Sequence, residues 1–298
     1  MAVKTVILFF ALCLPILADL ASGKRALENG DYAAALKEFL PLARKGDAVA
    51  QYNLGVMYAN GEGVPQDYTE AAKWFRSAAE QGGTEAQFSL GVMYHSGRGV
   101  PQDYKEGAKW FRLAAEHGDA DAQFNLGAMY YKGEGVLQDY KEAVKWYHSA
   151  AEQGNAAAQF NLGLVCAKGE GIPRDYKEAV RWFQLAAGQG DADAQFEIGL
   201  RCARGEGVPQ DYRDAAKWYR LAAEQGDADA QVNLGLLYVM GQGVLQDYVQ
   251  AHMWFNLAAA AGDANGIKAR DRIAKEMTPD QIADAQRLAR EWKPKPSR

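Results

Sequence analysis

The feature that most constrains the fold of this chain is the dipeptide Ala-Gln, which returns every 36 residues. The copies begin at Ala50, Ala86, Ala122, Ala158, Ala194 and Ala230, with no insertion or deletion between them. A strict period of this length is typical of a solenoid, because each small unit can bury its apolar face only by stacking on the next unit. The sequence therefore predicts a row of identical motifs.

Each unit carries the signals for two helices, which we call helix A and helix B. In the first copy, Asp47 stands where it can cap helix A, and the glycines Gly61 and Gly63 end that helix in a turn. Asp67 then caps helix B, and Glu70, three residues later, has the spacing of a capping box. A further glycine closes helix B, so each unit is predicted to be a helix-turn-helix.

Helical spacing predicts which residues of each unit face the core. On helix A of the first copy the apolar face comprises Ala50, Leu54, Met57 and Tyr58, and on helix B it comprises Ala71, Trp74, Phe75 and Ala78. Tryptophan recurs once in every unit at the Trp74 position. A residue that repeats so strictly is predicted to pack in the core and not to bind a ligand.

The turn Gly-x-Gly has a second interpretation, as a loop that cradles phosphate. A P-loop requires Gly-Lys followed by Ser or Thr, and a dinucleotide-binding loop requires a preceding strand. Neither is present, since every copy opens the same turn between two helices. The sequence therefore predicts no nucleotide and no other cofactor.

The averaged motif resembles a known family. It reads L-G-x-x-Y, then G-x-G-V-x-x-D-Y-x-x-A, then W-[FY]-x-x-A-A-x-x-G, which is similar to the Sel-1-like repeat, a relative of the tetratricopeptide repeat. The resemblance implies an all-α fold, a right-handed α/α superhelical solenoid of 36-residue helix-turn-helix repeats. It also implies a non-enzymatic scaffold or adaptor that binds a partner peptide or protein. Exported bacterial members of the family are similar to this chain in having leader peptides.

The ends of the chain depart from the motif. Residues 1–21 combine an early lysine, a short apolar run and small residues, the pattern of a secretory signal peptide cleaved after Ala18 or Ala21. We expect residues 22–48 to form a capping helix and a partial repeat, 49–263 the six repeats, and 264–298 two capping helices and a basic tail. Thr278 is placed to cap the last helix, with Pro279 at its first position.

The leader pattern predicts an exported protein, periplasmic or secreted, with no integral membrane span after cleavage. The apolar run of the leader is shorter than the roughly 20 residues that a spanning helix needs. An uncleaved anchor is the alternative interpretation.

Two cysteines, Cys166 and Cys202, replace the Tyr58-position tyrosine in successive units. Equivalent positions on stacked helices lie about 8–10 Å apart, which is farther than a disulfide reaches. We therefore expect two small core residues, with a disulfide in an oxidising compartment as the alternative. The four histidines occupy unrelated positions of the repeat, so no metal site is predicted.

One side of helix A faces away from the predicted core and, by analogy with tetratricopeptide arrays, should form the concave wall. It carries the aromatic residues Tyr52, Phe88, Phe124, Phe160 and Phe196, and at the end of the helix a basic series, Lys132, Lys168 and Arg204. The aromatic residues have two compatible interpretations: burial between neighbouring helices, or the floor of a groove for a partner peptide. These residues, with His95 and Tyr131, are the predicted partner contacts.

The composition narrows the partner to a protein or peptide of unknown identity. A formal net charge of −5 argues against nucleic acid, since phosphate binding needs concentrated Lys and Arg. A cell-envelope component or glycan, with sugars stacked on the aromatic residues, is the first alternative. A hydrolase is the second, but no serine is followed by lysine three residues later, and the deviations between copies look mostly conservative.

Overall fold

The computed structural model describes residues 20–295, and among these residues it is entirely helical, without strands. The chain divides into two compact units between Ala150 and Ala151. The predicted leader lies outside the described residues except for positions 20 and 21, and residues 296–298 also lie outside them.

The first unit begins with helical residues 20–28, which we call α1, followed by the helix of the partial repeat and three pairs of helices A and B. These helices are α2 Tyr32–Arg44, α3 Ala48–Asn60, α4 Tyr68–Ala79, α5 Thr84–Ser96, α6 Tyr104–Glu116, α7 Ala120–Lys132 and α8 Tyr140–Glu152, of which α8 runs two residues past the division.

The second unit contains three further pairs and a distinct C-terminal end. Its helices are α9 Ala156–Lys168, α10 Tyr176–Gly188, α11 Ala192–Arg204, α12 Tyr212–Gln225, α13 Ala228–Met240, α14 Tyr248–Ala260, α15 Ala264–Ile273 and α16 Pro279–Glu291, with a short 3-10 turn at Ala274–Glu276 after α15. Thr278 caps α16 in a capping box with Gln281, as its position before Pro279 predicts.

The predicted aspartate caps are present, but the prediction of a capping box in helix B is wrong, because the box does not form. Asp67 accepts hydrogen bonds from the backbone N–H groups of Thr69 and Glu70. Its own N–H, which the Glu70 side chain would need, donates to the carbonyl of Tyr58 at 2.9 Å. Glu70 instead pairs with Lys73 at 2.8 Å. A contact between the two helices therefore replaces a local one.

The aromatic residue at the Phe75 position is the centre of each repeat core. Its six copies are all buried: Phe75, Phe111, Tyr147, Phe183, Tyr219 and Phe255. Tryptophan, predicted as core in every repeat, is buried at Trp110 and Trp254 and half-buried in the other four copies. The prediction of a fully buried tryptophan therefore holds in two repeats and is wrong in the other four. The aromatic residue at the Phe75 position, which follows the tryptophan, occupies the centre of the core.

That ring packs directly on the glycine of the Leu-Gly pair in helix A. A Cβ atom on Gly163 would lie 2.5 Å from Cε1 of Phe183, which is closer than any side chain permits, and in the other five copies the nearest ring atom would lie at 2.5–2.8 Å. The glycine is thus required by the approach of the two helices, since its backbone is an ordinary helical one.

The Ala-Gln pair that defines the period fastens helix A to the preceding helix B. Each of its glutamines is buried and donates from Nε2 to an alanine carbonyl near the end of that helix. The six bonds are Gln51 to Ala43, Gln87 to Ala79, Gln123 to Ala115, Gln159 to Ala151, Gln195 to Ala187 and Gln231 to Ala223, at 3.1–3.5 Å. Each of these carbonyls also accepts the backbone N–H of the glycine three residues later, so the glutamine supplies a second hydrogen bond at the end of the helix.

Replacing Gly163 with alanine tests the packing of glycine on the ring. We expect G163A to lower the free energy of unfolding by about 1–3 kcal/mol, because the added methyl group forces Phe183 from its place. The matched control is G188A, whose Cβ meets no atom within 4 Å at the end of α10. This control should be neutral or stabilising by up to about 1 kcal/mol. Equal stabilities of the two variants, measured by urea denaturation, would contradict the packing.

Candidate partner-binding surface

We define the A surface as the residues at the Tyr52, Val56, Ala59 and Asn60 positions of helix A and their equivalents in later repeats. The aromatic residues at the first position are half-buried. Each ring lies 5.7–5.9 Å from the central ring of its own repeat, in the pairs Tyr52–Phe75, Phe88–Phe111, Phe124–Tyr147, Phe160–Phe183 and Phe196–Tyr219. One side of each aromatic residue thus packs inside the repeat while part of it remains accessible.

In the first unit, the structure brings two predicted contact residues together through an acid that was not predicted. Nε2 of His95 lies 3.2 Å from Oε2 of Glu134, and Nζ of Lys132 lies 3.9 Å from Oε1 of the same carboxylate. The His95 ring also meets the ring of Tyr104 edge-on at 5.1 Å. The basic series implied that Lys132 is a free cation, but this lysine is paired with Glu134.

Tyr131, the other contact predicted in this region, packs in the same manner one repeat later. Its ring meets that of Tyr140 edge-on, with 5.2 Å between the ring centres. His95 and Tyr131 occupy the same position of successive repeats, so this position supplies two different polar rings to the A surface of the first unit.

In the second unit, the exposed residues Lys168 and Arg204 lie near a charge cluster that the sequence reasoning missed. Arg201 occupies the buried Met57 position and pairs with Glu197 at 2.8 Å and with Glu206 more closely still. The expectation that the repeats differ mostly by conservative changes is therefore wrong for this repeat. The signal was available, since a charged residue stands in a column that is otherwise Met, Val or Leu.

The electrostatics of this cluster follow from its burial. Desolvation raises the pKa of the Glu197 carboxyl group, and the nearby positive charges of Arg201, Arg204 and Lys168 act in the opposite direction. The Arg201 guanidinium also stacks over the ring of Tyr176 at 5.3 Å. Its Nε atom is buried without a hydrogen-bond partner in the described part of the chain.

The two cysteines are free and buried, as the core interpretation predicts. In three other repeats the tyrosine at their position receives a hydrogen bond from an arginine 18 residues earlier, as Tyr130 does from Arg112 at 2.5 Å. The residues 18 positions before Cys166 and Cys202 are His148 and Gln184. Loss of the tyrosine therefore goes together with loss of the arginine.

A groove of about 760 Å³ lies at the C-terminal end of the A surface, within the second unit. Its apolar floor and mouth comprise Val232, Leu236, Val239, Met240, Phe255 and Ile273, and the charged residues at its margin are Asp229, Lys268, Arg272 and Glu276. Val232 takes the place of the aromatic residue in the sixth repeat and is only 8% exposed, so the exposed apolar side chains of the groove are Leu236 and Met240.

Metal sites and membrane-spanning helices were two further possibilities for residues 20–295. No group of three His, Cys, Asp or Glu side chains there could hold a metal ion. Over the same positions, every helix is too short or too polar to cross a bilayer.

Comparison with known proteins identifies the family. The model of the Sel1 repeat matches residues 48–83, 84–119, 120–155, 156–191, 192–227 and 228–263. This chain therefore belongs to the Sel1 repeat family, and the predicted all-α solenoid of 36-residue helix-turn-helix repeats is confirmed. Proteins of this family generally act as scaffolds for protein interaction and are typically non-enzymatic.

Two solved structures are similar to this chain, and the first of them supports the assignment. A Sel1 repeat protein from Oxalobacter formigenes is 32% identical, with a TM-score of 0.71 over 80% of this chain and 96% of that one. A protective antigen of uropathogenic Escherichia coli is 28% identical, with a TM-score of 0.46 over 93% of this chain and 91% of that one. No curated protein shows significant similarity to the chain.

Restoring the repeat consensus tests the charge cluster in α11. We expect R201M alone to lower the free energy of unfolding by about 1–3 kcal/mol, because it leaves the largely buried Glu197 carboxylate without its cation. The double variant E197N/R201M has the residue types of the first and third repeats at these two positions. Its free energy of unfolding should lie within about 1 kcal/mol of the wild-type value or above it. Additive effects of E197N and R201M in a double-mutant cycle would contradict the pairing.

The burial of Cys166 predicts slow reaction with thiol reagents. Desolvation raises the pKa of this thiol to about 11, so at pH 8 only about one molecule in a thousand carries the reactive thiolate. We expect iodoacetamide to modify Cys166 at least about 100-fold more slowly in the folded chain than in guanidinium chloride, as measured by mass spectrometry. Rapid modification, or an oxidised thiol in the purified protein, would contradict this assignment.

Proposed function

We propose that this chain is a non-enzymatic scaffold that binds a segment of a partner protein along the A surface after export from the cytoplasm. The supporting observation is a contrast between the two helices of each repeat. On the exposed faces of the B helices one ion pair recurs in each of the first five repeats, whereas the residue at the Asn60 position of the A surface changes from copy to copy.

The recurring ion pair of the B helices joins residues three positions apart and is present in the first five repeats. Its members are Glu70–Lys73, Glu106–Lys109, Glu142–Lys145, Glu178–Arg181 and Asp214–Lys217, at 2.7–3.6 Å. Such exposed pairs stabilise a helix by a few tenths of a kcal/mol. Repetition of the same pair suits a solvated face, and nothing in it distinguishes one repeat from another.

The A surface differs at the Asn60 position in particular. Successive repeats place Asn60, Ser96, Lys132, Lys168, Arg204 and Met240 there, and all six are exposed. A sequence of polar, basic and apolar groups along a row of accessible aromatic residues can read an extended or helical segment in one register. This is why we assign recognition to the A surface, the side of helix A that is expected from the sequence to form a concave wall.

Reversing charge on the A surface tests this function. Affinity capture from the native cell envelope, with mass spectrometry, should first provide a partner that binds the purified chain directly. We then expect K132E/K168E/R204E to bind that partner at least tenfold more weakly. The substitutions replace three cations at the interface with anions, which cannot form the same ion pairs and which repel acidic groups of the partner. Its melting temperature should stay within about 5 °C of the wild type, since all three side chains are exposed.

The matched control is K109E/K145E/R181E, which makes the same change of charge on the B helices. It should leave partner binding unchanged. Equal binding by the wild type and the A-surface variant would remove these three residues from the site. Retention of the chain by peptidoglycan, without capture of any protein, would favour the glycan alternative and contradict the proposal.

A further inference from the structure

The groove at the C-terminal end of the A surface has a closed floor and an apolar mouth. Val232, Phe255 and Ile273 belong to one buried cluster, so the chain itself fills the floor. The most accessible apolar side chains are those of Leu236 and Met240, which are 40% and 53% exposed. They are four residues apart and therefore share one face of α13. A partner can reach apolar surface here at the mouth of the groove.

Exposed cations stand on both sides of this apolar pair. Lys268 and Arg272 lie on α15, which lines the groove on one side. Arg272 holds the position equivalent to Leu236, one period of 36 residues later. On the other side, Arg204 of α11 occupies the position that Met240 takes in α13. All three cations are exposed.

The charge of these cations is not compensated by ion pairs. In the first unit, Glu134 pairs with Lys132. In the second unit, Glu206 holds the position of Glu134 but pairs with the buried Arg201. Arg204 forms no ion pair within residues 20–295, and the two cations of α15 form none over the same range. Their charges are therefore available to a partner.

The acids at this end of the A surface occupy the outer turns of the groove. Asp229 lies at the start of α13, and Glu276 lies in the 3-10 turn after α15. When positions 36 residues apart are taken as equivalent, the charges follow one another about one helical turn apart, in the order Asp229, Lys268, Arg272 and Glu276. Positive charge thus occupies the two central turns, opposite Leu236. A carboxylate is attracted there and is repelled at either end.

We propose that the mouth of the groove binds an acidic amphipathic segment of the partner protein. One aliphatic side chain of that segment covers Leu236 and Met240. Carboxylates on one side of it pair with Lys268 and Arg272, and a carboxylate on the other side pairs with Arg204. The inference rests on the proposed function and names the chemistry of the segment that this end of the A surface recognises.

The apolar and the charged contacts have different roles. Covering the apolar pair removes hydrocarbon from water and supplies affinity. The ion pairs fix the register of the segment, since a shift by one turn would bring its acids against Asp229 or Glu276. The chain as a whole carries a formal charge of −5, so overall attraction does not favour an acidic ligand. Binding of such a ligand requires a local concentration of cations, as at this groove.

Two variants separate the charged part of the site from the apolar part. The α15 variant, K268E/R272E, reverses both exposed cations of that helix. Its matched control, R181E/K217E, makes the same change of charge at two exposed positions on B helices of the same unit.

The apolar variant, L236A/M240S, removes both accessible apolar side chains. Ala128 and Ser96 occupy these positions in other repeats, so the substitutions are compatible with the fold. All three variants should melt within about 5 °C of the wild type, as measured by circular dichroism.

Phage-displayed random 12-residue peptides selected on the full chain provide the probe. We expect selected peptides to share one aliphatic residue with Asp or Glu within a few residues on both sides. They should bind the α15 variant at least tenfold more weakly and the apolar variant at least fivefold more weakly, and bind the control as they bind the wild type. Replacing the shared acids with lysine should weaken binding to the wild type and strengthen binding to the α15 variant.

Methyl NMR locates the site, since a selected peptide should shift the methyl signals of Leu236 and Met240 in the wild type. Selected peptides that share no acid would overturn the acidic site. So would peptides that bind the α15 and apolar variants as tightly as the wild type but bind the triple variant of the A surface more weakly, and this result would leave the proposed function standing. Undiminished binding of the peptides and of the native partner by all these variants would overturn both.

Discussion

The repeat architecture depends on one buried polar interaction, the hydrogen bond from the glutamine of each Ala-Gln pair to the end of the preceding helix B. A buried amide that loses its acceptor costs about 1–3 kcal/mol, so the bond fixes both the register and the separation of the two helices. The alanine beside each glutamine is at most 1% exposed and leaves room for that close approach. Apolar contacts alone would tolerate small slips, whereas a directional bond does not. The unbroken spacing of 36 residues follows from repeating this bond at every junction.

Most of the fold was readable because its determinants are local. The aspartate caps act within three residues of their own position, and the paired glycines end helix A in the left-handed conformation that glycine adopts without strain. The failed capping box shows where local reasoning stops. Whether Glu70 reaches back depends on the N–H of Asp67, and that group is engaged by the carbonyl of Tyr58, on the other helix.

The candidate site was less predictable, because its properties arise between repeats. The column of aromatic residues was visible from periodicity, but its half-burial depends on the ring pairs that only the packed structure shows. His95 and Glu134 are 39 residues apart, and nothing in either local sequence indicates that they meet. Arg201 is different, since a cation in a column that is otherwise apolar indicates from the sequence alone that this repeat departs from the others. Val232 is less conspicuous, because an apolar residue in an apolar column does not reveal that the C-terminal residues Ile273 and Met277 pack against it and Phe255.

The charged face of α15 has a consequence for how the chain can change in length. Copying an internal repeat adds one more glutamine bond and one more ring packed on glycine, so the array can grow or shrink without inventing an interface. Such a copy inserted before α13 leaves a single groove at the C-terminal end, since the groove requires the exposed cations Lys268 and Arg272 of α15. A longer descendant would therefore present more repeats of the A surface and still one such groove.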